Sequence, residues 1–217
     1  MDINEVGSRQ YQLLSRLLHH KSGLTINQLS STLKISRTAT QQHVTSLESK
    51  GFVKKAHTAK TAGRPVQTYK LTDPGLHLFP KQYAWFSELL LGEMKGELGS
   101  RKLETILRKL GEETAQGLLF RLQGKSPDDQ LDEVIQIMAE LGYEASVSGS
   151  GLKGPVIQAC NCVYHDLAQK YNEVCKFDVA LISFLLKRPV AHQDCMAKGD
   201  PMCSFEIGTG TEDDLDS

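Results

Sequence analysis

Residues 22–53, SGLTINQLSSTLKISRTATQQHVTSLESKGFV, form the stretch that most constrains how this chain can fold. Thr25 can cap a short helix and Ser36 a longer one, because a hydroxyl oxygen accepts hydrogen bonds from the amides of the first turn. Two residues between these helices leave room only for a brief turn. Gly51 suits the left-handed position that follows a helix end. The stretch therefore predicts two helices joined by a tight turn.

The second of these helices has two chemically different faces. Val44 and Leu47 fall on the buried side, and the other side carries Arg, Thr and Gln with almost no acid. Such side chains offer donors and acceptors to base edges and phosphates in a major groove. The outward residues are Arg37, Thr38, Thr40, Gln41, Gln42 and Thr45, and the predicted DNA contacts are Ser36, Arg37, Thr38, Gln41, Gln42 and Thr45.

A basic hairpin is predicted next. The segments FVKKAHTA and PVQTYKLT have the pattern of two strands, and KTAGRP forms the turn between them. A wing of this kind lies along the DNA backbone and can place an arginine in the minor groove, so Lys55 and Arg64 join the predicted DNA contacts. The order of elements predicts a winged helix-turn-helix domain over residues 1–76. A winged helix used only for protein contacts is the alternative.

The distribution of charge agrees with a polyanion-binding N-terminal module. Residues 1–80 carry 11 Lys and Arg against 4 Asp and Glu, a net charge of +7, whereas residues 81–217 carry 14 against 22, a net charge of −8. Neither a signal-peptide pattern nor a bilayer-length apolar run is present, so we expect a cytoplasmic protein with no membrane partner. No phosphate-binding glycine loop and no suitably spaced acid/base pair occur, so we do not expect an enzyme.

The remainder of the chain predicts a second, α+β domain. The pattern over residues 77–125 predicts a helical linker and dimerisation region. Ser100 is expected to cap the second helix of this region. The helix containing Trp85 is the candidate contact in a homodimer. The alternative is that both helices pack against the C-terminal domain. Residues 126–208 mix helices and strands as an α+β sensor domain, and the acidic residues 209–217 read as a disordered tail.

All five cysteines lie after residue 159, and their spacing is wide and irregular. No pair forms the C-x-x-C knuckle of structural zinc sites. Ligands scattered over separate elements are typical of iron–sulfur clusters; zinc, or a metal-free thiol sensor, is the alternative. Either Cys160 or Cys162 could reach a metal, because both would share one face of a strand. His165 is a possible nitrogen ligand, whereas His192 reads as a surface or strand histidine.

The segments ISRTATQQHVTSLESKGFV and AGRPVQTYKLT, together with CNCVYHDLAQKYNEVC, resemble the Suf-operon repressor family. These are winged-helix regulators that control iron–sulfur assembly genes and carry a cluster themselves. The resemblance implies that Cys162 and Cys175 are cluster ligands and that His165 lies near the cluster. The ending CMAKGDPMCSF is similar to the end of 4-vinyl reductase domains, which leaves open whether Cys195, Cys203 or His165 completes the set.

We therefore expect a dimeric repressor that binds double-stranded operator DNA and senses iron–sulfur status. The expected metal ligands are Cys162, Cys175, Cys195 and Cys203, with His165 as a further possibility, and the expected cofactor is a 4Fe–4S rather than a 2Fe–2S cluster. By resemblance, the loaded form binds the operator. The alternative function is a winged-helix regulator that binds a small molecule in its C-terminal domain and uses the cysteines for structural zinc or as a thiol site.

Overall fold

The computed structural model describes residues 6–59, 66–150 and 154–209. The chain divides into two compact units, Met1–Gln82 and Tyr83–Ser217. The first is a winged helix-turn-helix and the second is an α+β domain, so the predicted fold class is confirmed. The helices over residues 83–116, which the sequence pattern assigns to a separate linker, lie in the second unit. The predicted wing turn with Arg64 and the acidic tail from residue 210 fall outside the described residues.

The first unit contains short helices packed beside a small sheet. Its elements are α1 (Ser8–Leu18), β1 (Leu24–Thr25), α2 (Ile26–Leu33), α3 (Arg37–Ser49), β2 (Val53–Ala59), β3 (Val66–Leu71) and α4 (Asp73–His77). The strands pair antiparallel in the order β1-β3-β2. β2 and β3 form the predicted hairpin, and α2 and α3 form the predicted helix-turn-helix.

Local capping fixes the two helices of this motif. Thr25 and Gln28 form a capping box, in which the Gln28 amide donates to Thr25 Oγ1 at 3.2 Å and the Thr25 amide donates to Gln28 Oε1 at 2.8 Å. Ser36 Oγ accepts a hydrogen bond of 3.1 Å from the amide three residues further on. Lys34 ends α2 in the left-handed region, and Gly51 follows α3 with φ of 75°. The predicted caps and turn are confirmed.

Apolar stripes from the three main helices meet in one core. Its fully buried side chains are Leu13, Leu14, Leu17, Leu29, Val44, Leu47 and Phe52. Gly75 of α4 lies against the chain just after α3, where an added Cβ would come within 2.1 Å of the Phe52 carbonyl oxygen. A side chain at this position would push α4 away, so this glycine sets how closely α4 approaches. The core thus holds α3 with its polar face turned to solvent.

The second unit is a four-stranded antiparallel sheet combined with helices. Its elements are α5 (Tyr83–Leu98), α6 (Ser100–Gln116), α7 (Pro127–Glu140), β4 (Ala145–Ser150), β5 (Pro155–Ala159), α8 (His165–Lys170), α9 (Cys175–Leu186), β6 (Val190–Asp194) and β7 (Cys203–Ile207). The strand order is β4-β5-β7-β6. Among the described residues, every helix is too short or too polar to span a bilayer.

The core of this unit lies between the sheet and its helices. Buried residues from α7, α9 and the two central strands form one cluster, including Val134, Ile137, Ile157, Leu181, Ile182 and Phe205. α6 packs closely on α9, because a Cβ at Gly111 would come within 2.5 Å of the Phe177 carbonyl oxygen. This contact holds α6 on the second domain, beside the helix that begins at Cys175.

One predicted cap is wrong. Gly99, not Ser100, precedes α6, and the Ser100 hydroxyl instead donates to the buried carboxylate of Glu173 at 2.5 Å. Lys95 Nζ also lies 2.7 Å from that carboxylate. Burial alone would raise the pKa of Glu173, but the ion pair and the hydrogen bond outweigh it, so the pKa is lowered. Ser100 therefore serves a long-range contact that sequence spacing does not reveal.

α5 turns its polar side toward its own unit and its apolar side outward. Glu88 pairs with Lys170 of α8 at 2.7 Å, and Lys95 pairs with Glu173. None of the sixteen α5 residues, all of which are described, is buried. Leu98 is exposed at the C-terminal end of α5, and toward the N-terminal end five large apolar side chains are exposed: Tyr83, Trp85, Phe86, Leu89 and Leu90. These five residues are called the α5 apolar face below.

Candidate functional site

The outward side of α3 presents the polar face that the sequence predicts. Arg37, Thr38, Gln41, Gln42 and Thr45 are all exposed. The Gln41 amide donates to Thr45 Oγ1 at 3.3 Å, which ties two of these side chains one turn apart. Because none of the five is buried in the core, their donors and acceptors are free to meet base edges. We call these five residues the recognition face.

Thr40 is a correction to the predicted outward set. Its side chain is fully buried, and its hydroxyl donates to the Ser36 carbonyl oxygen at 2.9 Å. Threonine satisfies its hydroxyl inside a helix by bonding back to the carbonyl four residues earlier. The residue therefore belongs to the core side of α3. A polar residue type does not guarantee a polar position when the helix backbone itself supplies the hydrogen-bond partner.

Ser36 and Lys55, two further predicted DNA contacts, are also exposed. Ser36 is exposed at the N-terminus of α3, where its side chain caps the helix. Lys55 is exposed on β2, opposite Tyr69 of β3 in the sheet register. A groove of about 440 Å³ lies between α2, α3 and β3 and includes Arg37, Gln41 and Gln67 in its lining. Arg64, the other predicted wing contact, lies outside the described residues.

The cysteine centre, defined here as Cys162, Cys175, His192, Cys195 and Cys203, is assembled from separate elements of the second unit. Cys162 lies in the loop between β5 and α8, and Cys175 is the first residue of α9. Cys195 directly follows β6, and Cys203 begins β7. The turn between these last two is fixed, because the Cys195 amide donates to Asp200 Oδ2 at 2.7 Å and Gly199 takes φ of 103°.

Three of these side chains form a compact group. The sulfur atoms of Cys175 and Cys195 are 3.9 Å apart. These atoms and one imidazole nitrogen of His192 all lie within 4.8 Å of one another. Two thiolates bound to a single tetrahedral ion through bonds of about 2.3 Å would be about 3.8 Å apart. The two sulfurs are therefore spaced as ligands that share one metal ion.

Cys162 and Cys203 form a second thiol pair. The hydrogen bond between them lowers the pKa of Cys162 and raises the pKa of Cys203 to about 12. Burial, with the adjacent Cys195 thiol, raises the pKa of Cys175 to about 12. Without a cation the Cys175 and Cys203 thiols thus hold their protons at neutral pH. A bound metal ion reverses this preference, because a coordinating thiol is deprotonated.

Two residues that the sequence indicates as candidate ligands, Cys160 and His165, lie outside the three-residue group. Cys160 is exposed, and the neighbouring Asn161 side chain bonds to the backbone of Gly142 and Glu144, which anchors the loop. The three-residue group within 4.8 Å contains His192 rather than the predicted His165. His165 bonds through Nε2 to Gln169 at 3.1 Å, and its Nδ1 is buried without a hydrogen bond.

His192 is the functional candidate that sequence reasoning misses. The pattern predicts a surface or strand histidine, and the residue does lie on β6; what the pattern does not predict is that its Nε2 is buried without a hydrogen bond. The spacing gives no signal for it, although His192 stands only three residues before Cys195. A strand that continued regularly would put residues three apart on opposite faces, so the spacing alone argues against a shared site.

The donor types of this centre fit an iron–sulfur cluster or zinc. Thiolates and imidazole are the ligands that both groups take, and a partly buried site protects the bonds from water. Asp178 lies nearby with its pKa raised to about 6 by burial, and it accepts a hydrogen bond of 2.5 Å from Tyr143. The 3.9 Å spacing suits two thiolates on one metal ion, as in zinc or 2Fe–2S centres, whereas each iron of a 4Fe–4S cluster takes one.

A small cavity opens onto this centre. It has a volume of about 170 Å³, and its lining includes Cys175, His192 and Cys195 together with Lys176 and Lys198. The cavity therefore gives solvent and small molecules access to the three-residue group from one side. Glu104 lies in the same lining, so the cavity carries charges of both signs.

The comparisons with known proteins concern the N-terminal region. Residues 5–64 match the MarR family, whose members are transcription regulators and not enzymes. This match covers α1, the helix-turn-helix and β2, so the N-terminal region is a winged helix of the MarR type. No curated protein matches the chain.

Similar solved structures are distant. MepR, a transcription regulator of the Staphylococcus aureus multidrug efflux pump MepA, is 18% identical with a TM-score of 0.29, over 63% of this chain and 80% of that chain. PcaV from Streptomyces coelicolor, solved with its natural ligand, is 21% identical with a TM-score of 0.31, over 63% and 76%. A trafficking protein particle complex subunit 3 from Naegleria fowleri, covalently bound to palmitic acid, is 12% identical with a TM-score of 0.41, over 61% and 99%.

Proposed function

We propose that this protein is a homodimeric transcription repressor whose affinity for operator DNA is controlled by an iron–sulfur cluster in its second unit. The observation that carries the proposal is the pairing of two features in one chain. The first unit presents the recognition face, and the second unit gathers the cysteine centre from separate elements. A DNA partner places such a regulator in the cytoplasm. The resemblance to Suf-operon repressors makes iron–sulfur assembly genes the proposed targets.

DNA binding in this proposal uses the recognition face together with Ser36, Lys55 and Arg64. Arg37 and the glutamines contact base edges and phosphates from the major groove. The N-terminus of α3, capped by Ser36, meets a phosphate with its positive end. Lys55, and Arg64 on the wing, contact the backbone beside the groove. The net charge of +7 over residues 1–80 supports contact between this region and the negatively charged DNA backbone.

Dimerisation in this proposal uses the α5 apolar face. An apolar helix face that is turned away from its own unit normally marks a contact with another chain. The ion pairs of Glu88 and Lys95 hold the polar side of α5 against its own unit, which leaves Trp85 and Phe86 outward. A second copy of the chain can cover the same face on both partners, as a two-fold dimer requires. Two winged helices then read the two halves of a palindromic operator.

The cysteine centre would hold the cluster through Cys162, Cys175, Cys195 and Cys203. A bound cluster supplies a redox-sensitive link between segments that are distant in sequence. The residues themselves do the coupling: ligation fixes the start of α9, the loop before α8 and the 195–203 turn relative to one another. If loss of the cluster lowers operator affinity ~100-fold, the coupling free energy between the cluster and the DNA-binding site is about 2.7 kcal/mol.

The test begins with anaerobic purification, followed by a visible spectrum and by iron, sulfide and zinc analysis of the same sample. Brown protein with iron and sulfide in equal amounts supports the proposal. Four irons per chain would agree with the resemblance, and two with the paired thiols. Operator binding is then measured with and without the cluster at one salt concentration. A cluster-loaded protein whose operator affinity equals that of the apo form would overturn the regulatory proposal.

A single zinc ion is the second candidate for this centre, and the 3.9 Å spacing of two thiols is the observation that favours it. Under this alternative the second unit is a structural zinc domain that binds a small molecule. Colourless protein with one zinc per chain would support it. The DNA-binding part of the proposal is unaffected by that result, because all of its contacts come from the first unit.

A further inference from the structure

We infer that His192 is a protein ligand of the metal centre, alongside Cys175 and Cys195, and that it takes the place of one of the other two cysteines in the four-ligand set proposed above. The inference rests on the proposed function in one respect, since it takes the cysteine centre to bind metal. It goes further by assigning a ligand on β6 that the sequence does not indicate. It also gives His165 a different role, outside the ligand set.

The backbone at the end of β6 explains how this histidine reaches the centre. In a regular strand, His192 and Cys195 would point to opposite faces, because side chains alternate. The pairing of β6 with β7 shifts register between His192 and Asp194. A bulge of this kind adds one residue to a strand and redirects the side chains that follow. It turns Cys195 toward the side that His192 already occupies.

The imidazole ring is held in place for ligation. It stacks on Phe205 of β7 with ring centroids 4.7 Å apart and an angle of 15° between the planes. This packing restricts the plane of the ring. Its Nε2 is buried and forms no hydrogen bond, although buried polar atoms in proteins are nearly always paired. A metal ion would supply the missing partner.

The distances allow the ligand set to form with small movements. The three ligand atoms already lie within 4.8 Å of one another. An ion bonded to both sulfurs would sit about 2.3 Å from each, and the imidazole nitrogen would then need only a short shift to reach about 2.1 Å. His165 also has a buried ring nitrogen without a hydrogen bond, Nδ1, but it is not part of this group, and its Nε2 is bonded to Gln169.

A nitrogen ligand changes the chemistry of the centre. Imidazole is neutral, so the metal carries less negative charge than with thiolates alone, and histidine ligation raises the reduction potential of iron–sulfur centres. This ligand also lines the cavity of about 170 Å³. Cys175 and Cys195 line the same cavity, so all three inferred ligands border the route by which solvent reaches the centre.

The test compares the full-length wild type with His192→Phe, His192→Cys and His165→Phe. His192→Phe keeps a ring on Phe205 but removes the nitrogen, so it separates ligation from packing. Two loadings are measured: anaerobic reconstitution with iron and sulfide, and titration with Co²⁺ as a coloured substitute for zinc. The readouts are bound metal per chain, the visible spectrum and, for an iron-loaded centre, its reduction potential.

His192→Phe is expected to weaken metal binding by roughly 10- to 100-fold, the range seen when groups that support a metal site are lost. His192→Cys should restore binding with a shifted spectrum and a lower potential, and His165→Phe should match the wild type. Equal metal content and an identical spectrum in His192→Phe would overturn the inference while leaving the proposed function intact. A wild type that binds neither iron nor cobalt would overturn both.

Discussion

The recognition face and the cysteine centre differ in how far apart along the chain their residues lie. The recognition face comes from one helix of thirteen residues, α3, whose caps and spacing are local. The cysteine centre draws on residues from 162 to 203, brought together by two helices, a bulged strand and a turn. One site exists as soon as its helix forms and packs. The other exists only when the second unit has folded.

This difference predicts how each site responds to change. A substitution on the recognition face removes a contact and leaves the fold unaltered, because the side chains are exposed. A change at the cysteine centre acts on several elements at once, since each ligand anchors a different part of the unit. Effects on stability should therefore concentrate in the second unit, and the first unit should lose only affinity for DNA.

Removal of the metal should give the largest difference between the two units. A ligand at ~1,000 times its dissociation constant stabilises the folded state that binds it by about 4 kcal/mol. A chelator should lower the unfolding temperature of the second unit and leave that of the first unchanged, because each has its own core. Differential scanning calorimetry with and without chelator measures both transitions. Equal shifts in the two transitions would contradict the separation.

Cys175→Ser should have the next largest effect, this time on DNA binding. Serine cannot replace a thiolate at the centre, so we expect loss of metal and a fall of ~100-fold in operator affinity, which corresponds to about 2.7 kcal/mol. Fluorescence anisotropy with labelled operator DNA at fixed salt measures the affinity. The matched control is Cys160→Ser, which alters an exposed cysteine outside the centre. If both variants bound the operator like the wild type, the two units would be uncoupled.

The sequence predicts most of the first unit because its determinants are local. Thr25 and Ser36 cap the helices as predicted, and Gly51 takes the left-handed position. Thr40 is the exception, since its hydroxyl is satisfied within the helix and leaves no polar signature at the surface. The two-residue β1 and the short α4 are further elements that the sequence pattern does not predict.

The second unit is less predictable because its determinants are long-range. The clustering of cysteines indicates that a site exists, but not which atoms meet. His192 joins the group through a register shift that no local pattern encodes. Ser100 bonds to Glu173, 73 residues away, rather than capping its own helix. Whether Cys162 and Cys203 ligate metal together with the other pair stays a prediction.

Arg37→Ala should weaken operator binding without touching the second unit. Loss of one base or phosphate contact of this kind costs about 1–3 kcal/mol, or roughly 5- to 150-fold in affinity. Bound metal and both unfolding transitions should equal those of the wild type, because Arg37 is exposed. The control is Arg9→Ala, which removes an exposed arginine from α1 rather than α3. An equal loss in both variants would mean that general charge, not the recognition face, governs binding.

Substitutions of Ser36 should have the smallest effect on DNA binding and stability. They separate two roles of one side chain, which is both a helix cap and a predicted DNA contact. Ser36→Ala should lower the free energy of unfolding of the first unit by about 1 kcal/mol, since the amide that Oγ now accepts from loses its partner. Ser36→Asp should restore that stability, because aspartate caps as well as serine. Its negative charge, however, would face a phosphate at the N-terminus of α3, so operator affinity should remain below that of the wild type even though the fold is repaired. Chemical denaturation and operator titration of the same two variants measure the two quantities separately. If Ser36→Asp recovered operator affinity together with stability, Ser36 would act only as a cap, and the DNA-contacting residues would begin at Arg37.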